Sequence, residues 1–209
     1  FTNAYSNAPN CAPTRACLMS GQYSPRHGIY TVASSERGRA DLRKLIPTPN
    51  TTNLDTKVVT IADALRPGGY TSACIGKWHL GHHQVDYLPT HRGFDHFYGH
   101  YTGGIDYFSH KYLGILDWHR NETPIVEDGY ATDLIGQEAV SIIESHDISK
   151  PLLMYVAFYA PHTPLQAPQT LIEQYSHIQN PGRRTYAAMV TAMDNAIGHI
   201  LNALEKRGI

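Results

Sequence analysis

Leu152-Leu153-Met154-Tyr155-Val156-Ala157-Phe158 is an unbroken apolar run, closed in front by Pro151 and behind by Pro161. A half-buried strand alternates apolar with polar positions. A short run with no polar position reads as a strand covered on both faces, as in a parallel sheet. Working outward, Ala131 to Ile143 carries Leu134, Ile135, Ala139, Val140 and Ile143 at helical spacing. Tyr186 to Leu204 repeats that period through Met189, Val190, Met193, Ile197, Ile200 and Leu201. Upstream, Tyr70 to Ile75 reads as a short buried strand. Before it, Val59, Ile61, Ala62 and Leu65 predict a short amphipathic helix ended by Pro67-Gly68-Gly69. A first helix is predicted over Pro13–Ser20. Helix, strand, helix, strand, helix implies an α/β fold with a largely parallel sheet. In such sheets ligands bind beyond the carboxyl ends of the strands.

The rest of the chain is less regular. A loop-rich stretch runs from the first helix to about Lys57. Residues 76–130 are rich in Gly, His and aromatics and lack a clear period. So long a span is either a functional excursion or holds short strands that the pattern does not reveal. The chain has 209 residues, 17 basic and 18 acidic, for a net charge of −1. It shows no basic tract, so nucleic acid is not indicated. No run approaches the ~20 apolar residues of a membrane span. Cys11, Cys17 and Cys74 do not form a disulfide framework. Cys17 and Cys74 read as core thiols, with a bridge between them left open. Asn50-Thr51-Thr52 and Asn121-Glu122-Thr123 match glycosylation sequons.

The chemistry starts at Cys11-Ala12-Pro13-Thr14-Arg15, followed by Leu18-Met19-Ser20-Gly21. Proline suits the first turn of a helix, so Cys11 is expected just ahead of a helix N-terminus. Unpaired N–H groups and the helix dipole favour an anion there, and Arg15 adds a charge that can fork onto an oxyanion. The plain alternative for Cys11 is a thiol with no chemistry. Gly76-Lys77-Trp78-His79-Leu80-Gly81 falls right after the first predicted strand. Leu88-Pro89-Thr90-His91-Arg92-Gly93-Phe94-Asp95 follows it. Ala160-Pro161-His162-Thr163-Pro164-Leu165 falls right after the second strand.

These blocks, in this order, resemble the sulfatase family from one end of the chain to the other. Gly104-Ile105-Asp106-Tyr107-Phe108-Ser109-His110 resembles its arylsulfatase and N-acetylgalactosamine-4-sulfatase branch. The resemblance implies an alkaline-phosphatase-like sandwich, a largely parallel central sheet flanked by helices. It implies that residues 1–209 are part of a single catalytic domain. The segment Phe1-Thr2-Asn3-Ala4-Tyr5 reads as an approach to Cys11 already in progress. The family's first strand with paired aspartates, its Asp-Asn metal pair and a further lysine are expected outside the chain.

By resemblance, Cys11 is oxidised to formylglycine, which acts as its hydrate and is itself a metal ligand. The other Ca²⁺ ligands are expected beyond the two ends. Lys77 is expected to contact the hydrate and the sulfate, His79 the hydrate, and His162 the sulfate and leaving oxygen. Arg15 is expected to neutralise charge near the hydrate and the metal. The implied activity is hydrolysis of aryl or carbohydrate sulfate monoesters, with this piece alone inactive. A sulfated small molecule or glycan and a formylglycine-generating enzyme or anaerobic maturase are the implied partners. The implied setting is secreted, periplasmic or lysosomal. The alternatives are a phosphonate or phosphate monoesterase of the same superfamily and a non-catalytic glycan-binding relative.

Thirteen histidines raise the question of zinc. His96 and His100 have helical i, i+4 spacing, but His-Glu-x-x-His and Cys-x-x-Cys patterns are missing. His82, His83, His96, His100 and His110 are expected at a substrate mouth or exposed. Asp194-Asn195 resembles the family's metal pair, but it falls inside the long helical stripe and reads as helix.

Overall fold

A computed structural model of the chain describes residues 2–209. The opening Phe1 of the predicted approach to Cys11 lies outside them. The centre is a five-stranded sheet. Its parallel part comprises β1 (Thr71–Lys77), β2 (His96–His100) and β7 (Leu152–Ala157), with β1 in the middle. β1 pairs with both neighbours, Cys74 facing Phe97 on one side and Tyr155 on the other. Two short antiparallel strands, β5 (His119–Arg120) and β6 (Thr123–Pro124), extend the sheet beyond β2. A separate hairpin pairs β3 (Lys111–Tyr112) with β4 (Ile115–Leu116). These are the short strands that residues 76–130 hide.

Each face of the sheet has its own core. Ala73 and Ile75 of β1 point to the side covered by α4 (Ala131–Ser145) and α6 (Pro181–Arg207). Ile135, Ala139 and Ile143 of α4 are fully buried there, and each isoleucine contributes about 1.5–3 kcal/mol. Cys74 points the other way, with α1 (Cys11–Ser20) and α3 (Ile61–Leu65). Ala12, Ala16 and Met19 fill that side from α1. Thr60 and Asp63 close a reciprocal capping box at the start of α3. Two further short helices, α2 (Ser24–His27) and α5 (Gln169–Gln174), lie in the connections.

Five expectations shift. First, α1 begins at Cys11 itself, because Asn10 takes the N-cap position. Second, β1 runs through Lys77, so the lysine ends the strand and does not follow it. Third, Val59 is 63% exposed and lies ahead of α3, whose buried residue is Ala62. Fourth, β7 is the last strand on its side of the described sheet, so most of its residues are only half-buried. Fifth, His96, His100 and His110 are neither exposed nor at the substrate mouth, and the first two lie on β2. His96 meets Glu138 at 2.8 Å, and His100 and His110 are buried, at 0% and 1% exposure.

Asp194 and Asn195 lie within α6, both exposed. All three cysteines are free thiols, so Cys17 and Cys74 form no bridge; Cys17 instead has its sulfur 3.4 Å from His27 Nε2. Among the described residues, no helix is long and apolar enough to cross a membrane.

Candidate active site

At the carboxyl ends of β1 and β2, Gly76 and Gly99 lie opposite each other with φ of +102° and +140°. A Cβ on Gly76 would stand 2.3 Å from Ala157 O, and one on Gly99 2.2 Å from Gly76 O. Only glycine allows this backbone turn and close approach. The turn immediately precedes Lys77, which is 1% exposed. Lys77 Nζ donates to Gly103 O at 2.5 Å and lies 5.4 Å from the centre of the Tyr159 ring. Cys11 is near enough across the sheet end to act on its charge. Burial pulls the Lys77 ammonium down to about 8, with the Cys11 thiol opposing and Arg15 adding to the effect.

Cys11 occupies the first turn of α1, which holds no acidic residue. Its wall of the cleft therefore carries unpaired N–H groups and the positive end of the dipole. Arg15 lies one turn on. It donates through Nη1 to Lys77 O at 2.5 Å and to Tyr155 Oη at 3.0 Å. It thus ties α1 to β1 and β7 from behind, lining a shallow depression next to Cys11 and not the main cleft.

His79 sits two residues beyond Lys77 with a left-handed φ of +61°, and its N–H donates to Tyr101 O at 3.0 Å. For a non-glycine residue this conformation is costly, and such strain clusters at functional sites. Its ring packs against Gly103 so closely that a Cβ there would stand 2.8 Å from Cε1 and Nε2. Its Nδ1 is buried without a partner. Burial first, then the charges of Lys77, Arg15, His162 and His82, push its pKa down to about 3, so the imidazole is neutral at pH 7.

His162 comes from the loop after β7. Its Nδ1 lies 2.8 Å from Thr163 O, which assigns the proton to Nδ1 and leaves Nε2 free in the neutral ring. The ring stacks on Tyr159 at 4.9 Å, and Tyr159 Oη donates to the same carbonyl. Cys11, His79 and His162 line one cleft of about 880 Å³, with Lys77 buried beside them and Arg15 behind. His82 and His83 line it too.

Sequence reading missed the supports. Gly103 holds the lysine, and the Tyr159 ring sits between Lys77 and His162. Asp117 braces the loop between them by accepting from Tyr101 N, Thr102 N and Thr102 Oγ1 at 3.0, 2.9 and 2.5 Å. Burial pushes its carboxyl up, but His119 first and then these bonds outweigh that and hold it well below the usual range. Tyr159 was within reach, directly before Ala160-Pro161-His162; Gly103 and Asp117 leave no local signal.

The described residues contain no group of three or more His, Cys, Asp or Glu that could hold a metal. The carboxylate lining the cleft is Asp106. It is engaged by Phe108 N, Ser109 N and Ser109 Oγ at one oxygen and Gln166 Nε2 at the other. These side chains do not fit a calcium ion, which takes about 6–8 oxygen ligands. Cys11 does suit an activated side chain, being partly exposed in the cleft and facing a buried cation.

The sulfatase family model matches residues 1–209. Arylsulfatase J of Mus musculus is 36% identical over 213 residues, covering 98% of this chain and 33% of its own length. N-acetylgalactosamine-6-sulfatase of Mus musculus is 30% identical, covering 100% of this chain and 40% of its own. The crystal structure of Ps i-CgsB superposes with a TM-score of 0.82 at 31% identity, over 98% of this chain and 46% of that one. The same protein in complex with k-i-k-neocarrahexaose gives 0.79 at 30%. The chain thus spans less than half the length of these relatives. Its parallel centre flanked by helices is the alkaline-phosphatase-like core, present in part.

Proposed function

We propose, from the premise that the chain belongs to the sulfatase family, that its cleft hydrolyses sulfate monoesters through a formylglycine made from Cys11. The observation that carries this is the facing pair: Cys11 on a helix N-terminus and the buried Lys77 ammonium across from it. Residues 1–209 are, on this reading, part of one catalytic domain. Its natural ester is a carbohydrate or aryl sulfate. An oligosaccharide bound to Ps i-CgsB supports the sugar. A formylglycine-generating enzyme or anaerobic maturase is the partner that converts Cys11, in a secreted, periplasmic or lysosomal setting.

Converted and hydrated, residue 11 would supply a hydroxyl that attacks sulfur, and its aldehyde would re-form as sulfate leaves. Every other part comes from the chain. Neutral His79 hydrogen-bonds the attacking hydroxyl; its low pKa keeps the ring uncharged at pH 7 and makes it a weak base, so the hydroxyl's proton passes on to water as the S–O bond forms. Lys77 and the first-turn N–H groups of α1 offset the negative charge on the sulfuryl oxygens. One preorganised donor of this kind is worth about 10²–10³ in rate. Sulfur forms one S–O bond and loses another. The leaving alcohol oxygen takes the bonding pair and a proton from His162 Nε2–H in its imidazolium form. Arg15 holds the Lys77 backbone in register and adds a fixed positive charge. Calcium belongs to the family resemblance, but no step is routed through it, because residues 2–209 do not build its site.

The test is turnover of p-nitrophenyl sulfate against p-nitrophenyl phosphate by an active enzyme containing residues 1–209, produced with a maturase. Preference for sulfate, lost in Cys11→Ala, is the expected result. Preference for phosphate would give the phosphomonoesterase reading. Binding of glycan with no release from either ester would give the non-catalytic one.

A further inference from the structure

The cleft is far larger than its chemistry needs. About 880 Å³ lies within the ~300–1,000 Å³ range that takes a whole drug-sized ligand, whereas a sulfuryl group fills a small corner of it. Another wall of it is formed by the β3–β4 hairpin and by the loop that carries Arg37.

The hairpin is built against local preference. Lys111 pairs with Leu116 and Tyr112 with Ile115, so the turn is the two residues Leu113-Gly114. Their φ values are +49° and +84°, the pattern of a type I′ turn. That turn favours Asn or Gly at its first position, and an L-residue with a branched apolar side chain costs about 1–2 kcal/mol there. Leu113 is nevertheless 85% exposed, Ile115 75% and Tyr112 41%. An apolar, strained tip in water adds nothing to folding. Its base is rigid: Asp106 N donates to Lys111 O at 2.9 Å, Asp117 N donates to His110 O at 3.0 Å, and the buried His110 stacks on Trp118. A rigid base with an exposed apolar tip is a preorganised binding surface.

Two cations and one carboxylate, Asp106, line the cleft. Arg37 and Lys111 line it, and neither forms an ion pair among the described residues. Arg37 is held in place by neutral acceptors: its Nε donates to Ser34 O at 3.1 Å and its Nη2 to Val32 O at 2.6 Å and Thr31 Oγ1 at 3.4 Å. Those bonds fix the guanidinium but leave its charge uncompensated. The carboxylate in the lining, Asp106, is already occupied by its own turn and Gln166. Low-dielectric walls focus such a field onto an incoming anion.

We propose that this wall is a second subsite, in which Tyr112 stacks a neighbouring sugar ring while Arg37 and Lys111 hold an anionic substituent on it. The substrate is then an oligosaccharide with at least two anionic groups: the sulfate at Cys11 and a second sulfate or carboxylate one ring away. This rests on the sulfatase reading of the Cys11 end. It goes beyond that reading by excluding a simple aryl ester as the natural substrate.

The test uses the active enzyme containing residues 1–209 and three synthetic disaccharides: one monosulfated and otherwise neutral, one disulfated on adjacent rings, and one monosulfated next to a uronic acid. The charged pair should exceed the neutral one by about tenfold or more in kcat/KM, mostly through KM. Whichever charged sugar leads names the second anion. Arg37→Gln/Lys111→Gln should reduce that ratio to within about twofold of one, and Tyr112→Ala should raise KM for all three disaccharides. Equal kcat/KM for the three sugars, or a ratio that survives the double variant, would overturn the subsite. Failure to turn over p-nitrophenyl sulfate as well as all three sugars would sink the sulfatase reading alone. The subsite would then stand or fall on calorimetry of the disulfated sugar with the Cys11→Ser variant and with the same variant lacking Arg37 and Lys111. Equal affinity for those two would reject it.

Discussion

Arg15 donates to the carbonyl oxygen of Lys77 at 2.5 Å, so the residue one turn after Cys11 is bonded to the backbone of the lysine facing Cys11. The helix that carries the reactive side chain and the strand that carries its cation are thus set against each other by one guanidinium. A second bond from the same Nη1 reaches Tyr155 Oη on β7 at 3.0 Å and brings in the third element.

Arg15→Lys should therefore be nearly as damaging as Arg15→Ala. A lysine keeps the charge but lacks the rigid planar group that serves a carbonyl and a phenol together. Each hydrogen bond from a charged donor is worth about 1.5–3 kcal/mol. Arg15→Ala should lower kcat on p-nitrophenyl sulfate by about 10²–10³ and also lower Tm. If Arg15→Lys retains more than half of the activity, charge alone matters and the geometric tie does not.

Lys77 gives activity and stability opposite responses to pH. Burial holds its folded-state pKa at about 8 against an ordinary 10.5. Activity that needs the ammonium should fall as pH rises through about 8. Between about 8 and 10.5 the unfolded chain binds the proton that the folded chain has lost. The Lys77 contribution to stability therefore rises with pH in that window. A pH–rate profile checks this. Lys77→Arg, charged throughout, should be slower but lack the limb; a limb that persists in it would assign the titration elsewhere.

Much of this was legible because the informative residues sit in contiguous blocks. Leu152–Phe158 declared a strand, and the spacing of Leu134 to Ile143 declared a helix, since each pattern is set by burial of that element alone. Cys11, Lys77, His79 and His162 came from motifs at the ends of those elements, and the structure brings three of them to one cleft with Lys77 at its wall. What stayed hidden depends on distant partners. His96 and His100 kept helical spacing by accident, and nothing local says that Glu138 takes one of them while the core takes the other. The half-buried state of β7 depends on its place at the end of the described sheet, which its sequence does not encode. The two-residue turn at Leu113-Gly114 breaks the turn preference that would have revealed it.

His162→Ala should lose more activity on alkyl sulfates than on nitrophenyl sulfate. An alkoxide is a basic leaving group and needs a proton in the transition state, whereas nitrophenolate leaves without one. The expected difference between the two substrates is about 10²-fold, the lower end of general acid catalysis. His162 Nδ1 is committed to Thr163 O, so the proton is delivered from Nε2. An equal loss on both esters would remove the acid role and leave His162 as a sulfate-binding group held by the Tyr159 stack.

Residues 1–209 on their own should bind Ca²⁺ no tighter than about 1 mM, the weak end of natural oxygen-ligand sites, and should not turn over p-nitrophenyl sulfate. Calcium takes about 6–8 oxygens, several of them from carboxylates. No metal-holding cluster occurs among residues 2–209, and Lys77 and Arg15 next to Cys11 repel a cation. Asp106 could offer an oxygen only by giving up Ser109 and Gln166, bonds that hold its carboxyl down near 2. Calorimetry on the 209-residue chain checks the affinity, and release of p-nitrophenol checks turnover. Tight binding at one ion per chain would mean that the ligand set lies within this stretch. Asp106→Asn and Asp194→Asn would then divide the two places it could be. Loss with the first would put calcium in the cleft against the field of Lys77. Loss with the second would put it on the solvent face of α6, where it could not assist Cys11.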